Sequence, residues 1–369
     1  MSDEAIGVLV DVPALNRPFD YLPPLGHPGP LEPGTIVRVP LHGRRVDGWV
    51  VGPGTGAKVA LQRITKIRSI GPTEELLSLA QFAAWRWAGP LNRFLKASSP
   101  EHNVLSLPLL PSHSPKGVEG VLRLPAPPGE GAMVVTLGAV EDPFDLVLEV
   151  ILQATSRTGS VIVAAPTIAY ATRLSARLQR SGCAVAGPGP EQWSQARAGW
   201  PVVVGVRGVA FAPVPDIASI VVLDAHEDTF TDERTPTWSA VDVLVERARL
   251  AKAPALLITP IATASLSSNR PVKVAVGSAG SQMWPKVATV DLKATDRRHR
   301  LLTEPFVDAA RQALAEDSGP AAVVCLYNRT GRAKLLACKR CDALAACTAC
   351  GSTVVQEGAQ FLCPTCHST

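Results

Sequence analysis

A chain of 369 residues with 46% hydrophobic and 18% charged side chains carries enough apolar material for two or three packed domains, which excludes an intrinsically disordered protein. Its formal net charge of +4 is too small to identify a partner by itself. No apolar run reaches the roughly eighteen residues of a membrane span, and the acidic start MSDEAIGV lacks the basic-then-apolar order of a signal peptide, so no membrane association and a cytoplasmic location are expected.

Residues 6–72 alternate short β-branched runs with turn residues: IGVLVDV, GTIVRVPL, GRRVDGWVVG and RITKIRSI. This pattern predicts a small β-rich domain. Between Thr35 and Ile70, Arg38, Arg44, Arg45, Lys58, Arg63, Lys66 and Arg68 face Asp47 alone, a local net charge of +6. Such a stretch is either a phosphate-facing surface or an ordinary solvated face. The segment Glu74–Ala97 has helical spacing, broken in two at Gly89-Pro90, and is expected to pack on the β unit. Trp85 and Trp87 stand two apart on it, facing different directions, and are expected to be packing residues.

A Pro-, Gly- and Ser-rich linker follows over 108–131. From Ala132 onwards the continuous apolar runs SVIVAAPT, WPVVVGV, IASIVVLDA and APALLITP alternate with helical stretches. Runs of this kind predict strands covered on both faces, hence a parallel α/β sheet. A further helix within DLKATDRRHRLLTEPFVDAARQALAEDS and a strand at AAVVCLYN precede the cysteine-rich end.

Six of the eight cysteines form C-x-x-C pairs, a metal-binding arrangement in a reducing compartment. Cys347, Cys350, Cys363 and Cys366, two knuckles separated by GSTVVQEGAQFL, predict a zinc ribbon that binds one Zn²⁺. Cys338 and Cys341 supply only a half-site, and His367 is not expected to reach them. Cys183 and Cys325 stand alone and are expected to be buried, unreactive thiols.

Read in order, VPALNRPFDYLPP, PGTIVRVPLHGR, WAGPLNRFL, VVVGVRGVAFAP, VVLDAHED and CLYNRTGRAKLLACKRC resemble segments of the primosomal protein N′ (PriA) family over nearly the whole chain. The resemblance implies a DNA 3′-end-binding domain over 1–107 and a RecA-like helicase lobe over 132–270. A connection into a second lobe over 271–337 and a zinc module over 338–369 would follow. It implies that Phe19 stacks on the terminal nucleotide of a 3′ end while Asp20 hydrogen-bonds it, with Gly43 and Lys66 contributing; Phe19 and Tyr21 both have ordinary core packing as the alternative, an equal one for Tyr21. It also implies forked or single-stranded DNA, primosome proteins and the replicative helicase as partners of a monomer.

The motor motifs depart from that family. An ATP-binding P-loop presents backbone amides, a Lys and a Ser/Thr to the phosphates and Mg²⁺. Here LGAVEDPFDLV puts Phe144 and Asp145 at the Lys and Thr positions and Pro143 at the preceding glycine, while Glu141 and Asp142 would oppose a triphosphate. The family's DEEH reads Asp224-Ala225-His226-Glu227, retaining a Mg²⁺ ligand but losing the carboxylate that orients water. SATP reads Thr259-Pro260-Ile261-Ala262. ATP is therefore not an expected cofactor, and Asp224, His226 and Glu227 read as polar residues at a strand end.

The linker is too short for the family's winged helix. The chain stops before the rest of the second lobe, so a fragment is expected, with the partner of Cys338/Cys341 lying beyond Cys366. These features predict a replication restart factor that binds forked DNA and helps reload the replicative helicase without helicase activity of its own. The alternatives are an ATP-dependent 3′ to 5′ helicase and a zinc-ribbon adaptor without DNA affinity.

Overall fold

The structure, a computed structural model, describes residues 4–27, 29–56, 61–115, 131–138, 141–154, 159–268, 270–274, 287–291, 302–315, 322–326, 336, 338, 340–341, 343–357 and 360–368. The chain divides into two compact units, 1–285 and 286–369.

The first unit opens with an antiparallel sheet of β1 (Ile6–Val10), β2 (Phe19–Tyr21), β3 (Ile36–Leu41), β4 (Arg44–Pro53) and β5 (Lys66–Ser69), in the order β2-β1-β4-β3-β5. The period-two pattern is visible in β3, where Val37 and Val39 are buried and Ile36 and Arg38 are half-buried. Val8, Val10, Val50, Ile64 and Tyr21 complete this small core. Leu22 donates to the carbonyl of Gln62 (2.9 Å) and accepts from the N–H of Ile64 (2.9 Å), joining the end of β2 to the segment that enters β5. The two sheet edges thus meet there. Gly34, with φ at +90°, lies so close to Pro72 that a Cβ would sit 1.8 Å from its carbonyl oxygen.

Helix α1 (Glu74–Arg86) starts at Thr73, whose side chain accepts from the N–H of Leu76, and α2 (Leu91–Ala97) follows the break at Gly89-Pro90. The second sheet contains β6 (Gly131–Thr136), β7 (Ser160–Ala164), β8 (Val185–Ala186), β9 (Val202–Gly205), β10 (Ile217–Val222), β11 (Pro254–Thr259) and β12 (Val272–Val274). Its order is β12-β6-β11-β10-β7-β9-β8 and its pairings are parallel. The four apolar runs noted in the sequence are β7, β9, β10 and β11; β6, β8 and β12 were not foreseen. The helices of this region are α3 (Phe144–Ala154), α4 (Ile168–Arg180), α5 (Gln192–Arg197), α6 (Ala240–Leu250) and α7 (Ala264–Ser267).

One face of the parallel sheet packs against apolar residues of α3 and α4. The other packs against α6 and also against α1 and α2, so that Leu76, Leu79, Phe94 and Leu95 share a core with Ile162, Ile220 and Leu257. The helical hairpin expected to cover the β-rich unit therefore serves both sheets. Phe94 lies 6.0 Å from Phe211, which stands edge-on to Trp238 at 5.1 Å.

In the second unit, α8 (Glu304–Ala315) falls inside the predicted helix, and β13 (Val355–Glu357) pairs antiparallel with β14 (Gln360–Leu362). Residues 322–326 form no strand, contrary to expectation, and Cys325 within them is exposed rather than buried. Without a strand neighbour to cover it, its side chain meets solvent. Cys183 is buried as expected, and burial pushes its thiol up to about 11. Among the described residues, no helix is long and apolar enough to cross a membrane.

Candidate functional site

The cysteine knuckles fold alike. Cys347 N–H donates to the carbonyl of Ser352 (2.7 Å), and Cys363 N–H to that of Ser368 (2.9 Å), five residues on in each case. The residue after each second cysteine, Gly351 or His367, has positive φ (74° and 57°) and donates back to the first cysteine's carbonyl. His367 is thus a turn residue here. The four sulfur atoms of Cys347, Cys350, Cys363 and Cys366 lie within 4.8 Å of one another, with Cys347–Cys366 at 3.6 Å and Cys350–Cys363 at 3.5 Å. A tetrahedron with metal–sulfur bonds of about 2.3 Å has sulfur–sulfur edges of about 3.8 Å, so these thiols fit a metal ion with little movement. Hydrogen bonds from the Ser368 hydroxyl and the N–H groups of Ala349 and Cys350 bring the Cys347 thiol down to about 6, favouring the thiolate that a metal requires. Cys338 N–H donates to the carbonyl of Ala343 (2.8 Å), again five residues on, the same hydrogen bond as in the complete knuckles.

In the β-rich domain, Phe19 and Asp20 sit half-buried on β2, the strand whose continuation at Leu22 joins the entry to β5 and hence to Lys66. The guanidinium of Arg17 lies 5.4 Å over the Phe19 ring. Asp20 accepts from the N–H and the hydroxyl of Thr55 at 2.9 and 3.0 Å. Arg17 and Thr55 were not singled out from sequence; Arg17 is two residues from Phe19, the only available signal. Tyr21 takes the packing alternative: it is buried and donates to the carbonyl of Pro40 (2.9 Å).

Gly43 forms with His42 the two-residue turn between β3 and β4, both with positive φ (76° and 47°). Arg44 and Arg45 follow it, exposed, and Lys66 is exposed on β5. Arg38 is instead held across the strands by Asp47, with Nε–Oδ1 at 2.7 Å and the second nitrogen–oxygen pair at 2.9 Å. Its charge is matched by Asp47 within the sheet. Lys58 lies outside the described residues.

Trp85 also departs from expectation: it is 76% exposed and packs into no core, because the buried stripe of α1 runs through Leu76, Leu79, Ala80 and Ala83. Trp87 is half-buried, edge-on to Phe82 at 6.1 Å, with the Arg86 guanidinium 5.5 Å over its ring.

Between β6 and α3, two acids of the connection accept from backbone amides on either side of it. Glu141 Oε2 accepts from the N–H of Gly138 (2.7 Å), and Asp142 Oδ1 accepts from the N–H of Phe144, at the start of α3 (3.0 Å). Arg177 of α4 pairs with Asp142 at 2.6 Å and stacks 4.0 Å over the Phe144 ring. Ala139 and Val140 lie outside the described residues. The adjoining cleft, about 200 Å³, is lined by Leu137, Gly138, Glu141, Tyr170, Asp224 and Thr259 among others. Burial raises the Asp224 carboxyl, opposed by His226 and aided by Glu227, and burial with Asp224 and Asp142 nearby pushes Tyr170 up to about 12. His226 Nδ1 lies 3.1 Å from the Thr259 hydroxyl, and Ala225 N–H donates to the carbonyl of Ile258. Asp224, His226 and Glu227 are polar residues just beyond the end of β10, as the sequence suggested.

A family model described as the 3′DNA-binding domain (3′BD) of PriA matches residues 7–100, the β-rich domain with α1 and α2. The probable replication restart protein PriA of Mycobacterium tuberculosis is 28% identical over 398 residues, covering 95% of this chain and 59% of the relative. That of Mycobacterium leprae is 28% identical over 389 residues, with 93% and 59% covered, and replication restart protein PriA of Bacillus subtilis is 25% identical over 176 residues, with 45% and 21% covered. The chain thus spans about three fifths of the mycobacterial relatives' length. With the 3′DNA-binding domain matched near its amino terminus and similarity running along 95% of its residues, the chain is similar to PriA replication restart proteins over nearly all of its length.

Proposed function

We propose that this chain is a replication restart factor that recognises forked or single-stranded DNA by its free 3′ end, engages primosome proteins as a monomer to help reload the replicative helicase, and has no ATP-driven motor. The observation that carries the reading is the contrast between a matched 3′DNA-binding domain and a β6–α3 loop whose Gly138 amide is taken by Glu141. An aromatic face stacks on any base, so Phe19 suits an unspecified terminal nucleotide. A carboxylate has room for about four hydrogen bonds, so Asp20 can hold Thr55 and still accept from a 3′ hydroxyl, a donor that an internal nucleotide lacks. Gly43, Arg44, Arg45 and Lys66 lie along the path of the adjoining backbone. The four ribbon cysteines hold one Zn²⁺, and Cys338 with Cys341 contributes half of a second site.

Two measurements test this. On forked DNA, Asp20→Ala is expected to erase the preference for a 3′ hydroxyl over a 3′ phosphate while leaving salt-sensitive background binding through Arg44 and Arg45. Phe19→Ala is expected to weaken binding by about 1–3 kcal/mol. Equal affinity of the unmodified chain for the two ends removes the basis of the reading.

The second measurement is calorimetry with ATP and Mg²⁺, where no saturable binding is expected at micromolar nucleotide. The Gly138 amide already has a carboxylate partner, the loop bears two acids, and Phe144 stands where the β/γ-phosphate lysine would be. The competing reading, a 3′ to 5′ helicase, draws on the retained strand–loop–helix layout and Asp224. Saturable ATP binding with DNA-stimulated phosphate release would establish it.

A further inference from the structure

We infer that the outer surface of the α1–α2 hairpin is a second DNA contact, a stacking platform for single-stranded DNA centred on Trp85 and Arg86. The inference rests on the DNA-binding reading above and extends it to the strand leading away from the terminal nucleotide. Trp85 exposes 76% of its surface on a helix that already has a complete buried stripe, so folding gives no account of a large aromatic there. Its ring is backed by Phe82 at 6.3 Å, which in turn touches Trp87, so the indole rests on a packed aromatic base.

The charge around it selects the partner. The α1–α2 hairpin has Arg86, Arg93 and Lys96, while its two acids, Glu74 and Glu75, lie in the first turn of α1, where Glu75 is taken by Arg247. Arg86 and Arg93 are exposed, and Lys96 reaches Asp11 at 3.5 Å. An exposed aromatic ring on a hairpin that also exposes Arg86 and Arg93 suits a flexible polyanion of stacked bases: the ring takes a base and the cations take phosphates. An apolar protein partner would not call for the exposed Arg86 and Arg93 on this hairpin.

The platform is tied to the strand-end pocket by the fold. Asn92 and Lys96 of α2 both reach Asp11, at the end of β1, and β1 pairs with β2 so that Val8 lies opposite Phe19. A strand whose end sits at Phe19 and Asp20 thus has a second attachment point fixed to the same sheet.

The test uses the full chain and labelled oligothymidylates of about four and about sixteen nucleotides, each with a 3′ hydroxyl or a 3′ phosphate. Trp85→Ala is expected to weaken binding of the longer strand about tenfold or more, leaving the shorter strand's affinity and the 3′-hydroxyl preference unchanged. Trp85→Phe is expected to restore most of the affinity, and Arg86→Glu to lower it together with its salt dependence. Because Trp85 is exposed, the variants should melt with the unmodified chain. Unchanged affinity of Trp85→Ala for the longer strand overturns the platform, including the case in which only a protein contact is lost, seen by sedimentation. A chain with no 3′-hydroxyl preference whose long-strand binding still depends on Trp85 supports the platform and sinks the end-recognition reading; a chain that binds no DNA overturns both.

Discussion

Removing the metal from the native chain is expected to unfold the ribbon over residues 343–368 and leave the first unit folded. The reason lies in what the ribbon buries. Among its described residues only Cys347 and Cys363 are buried, and its two strands have three residues each. A three-residue hairpin without a core is not stable alone. A zinc–thiolate site supplies on the order of 10–16 kcal/mol of apparent folding free energy in small zinc modules, far more than this hairpin can draw from packing. Chelation followed by hydrogen exchange should abolish amide protection at Cys347, Gly351, Cys363 and His367, whose N–H groups bond within the knuckles. Protection there that survives metal removal would show that packing holds the ribbon. Metal analysis should give one tightly held zinc per chain, falling to none in Cys363→Ser. Two tightly held zincs would mean that the Cys338/Cys341 knuckle finds further ligands.

Much of this was readable in the residues, for identifiable reasons. Continuous apolar runs gave β7, β9, β10 and β11 because a strand covered on both faces needs apolar residues at every position. Knuckle spacing gave the ribbon because a tetrahedral site admits few arrangements of C-x-x-C pairs. Two further features were legible in the residues. A two-residue turn at His42-Gly43 dictates that Leu41 faces Arg44 and so, counting outward, that Arg38 faces Asp47, which is the observed register. Trp85 stands two residues past Ala83, about 200° round the helix from the buried stripe, so its exposure followed from the helical period. Other features were out of reach. A carboxylate such as Glu141 can repel a phosphate or take its place on an amide, and only the loop's course decides which. A pairing of Glu75 with Arg247, 172 positions further on, likewise leaves no trace in local pattern.

That last pair carries a large single-residue effect in the first unit. The Arg247 side chain is 0% exposed; its Nε and one terminal nitrogen bond both oxygens of Glu75 at 3.1 and 2.8 Å, and the other terminal nitrogen donates to the carbonyl of Ala210 at 3.0 Å. It joins α6, packed on the parallel sheet, to the first turn of α1. Glu75→Ala would strand a buried guanidinium with two donors unmet, a loss of about 3–5 kcal/mol when no water can enter. Glu75 is 26% exposed, so some hydration is available and a loss of about 3 kcal/mol is expected in urea unfolding followed by far-UV circular dichroism. Arg247→Met should cost less, about 1 kcal/mol, because it removes the buried charge and leaves Glu75 access to water. The double variant Glu75→Leu/Arg247→Met should return close to the unmodified stability. This ordering separates a buried charge that needs its partner from a pair that merely adds a contact, since loss of a contact would cost the same from either side. Equal losses in the two single variants, or a Glu75→Ala loss below about 0.5 kcal/mol, would place the attachment of α1 in the shared apolar core around Leu76, Phe94 and Phe211 instead.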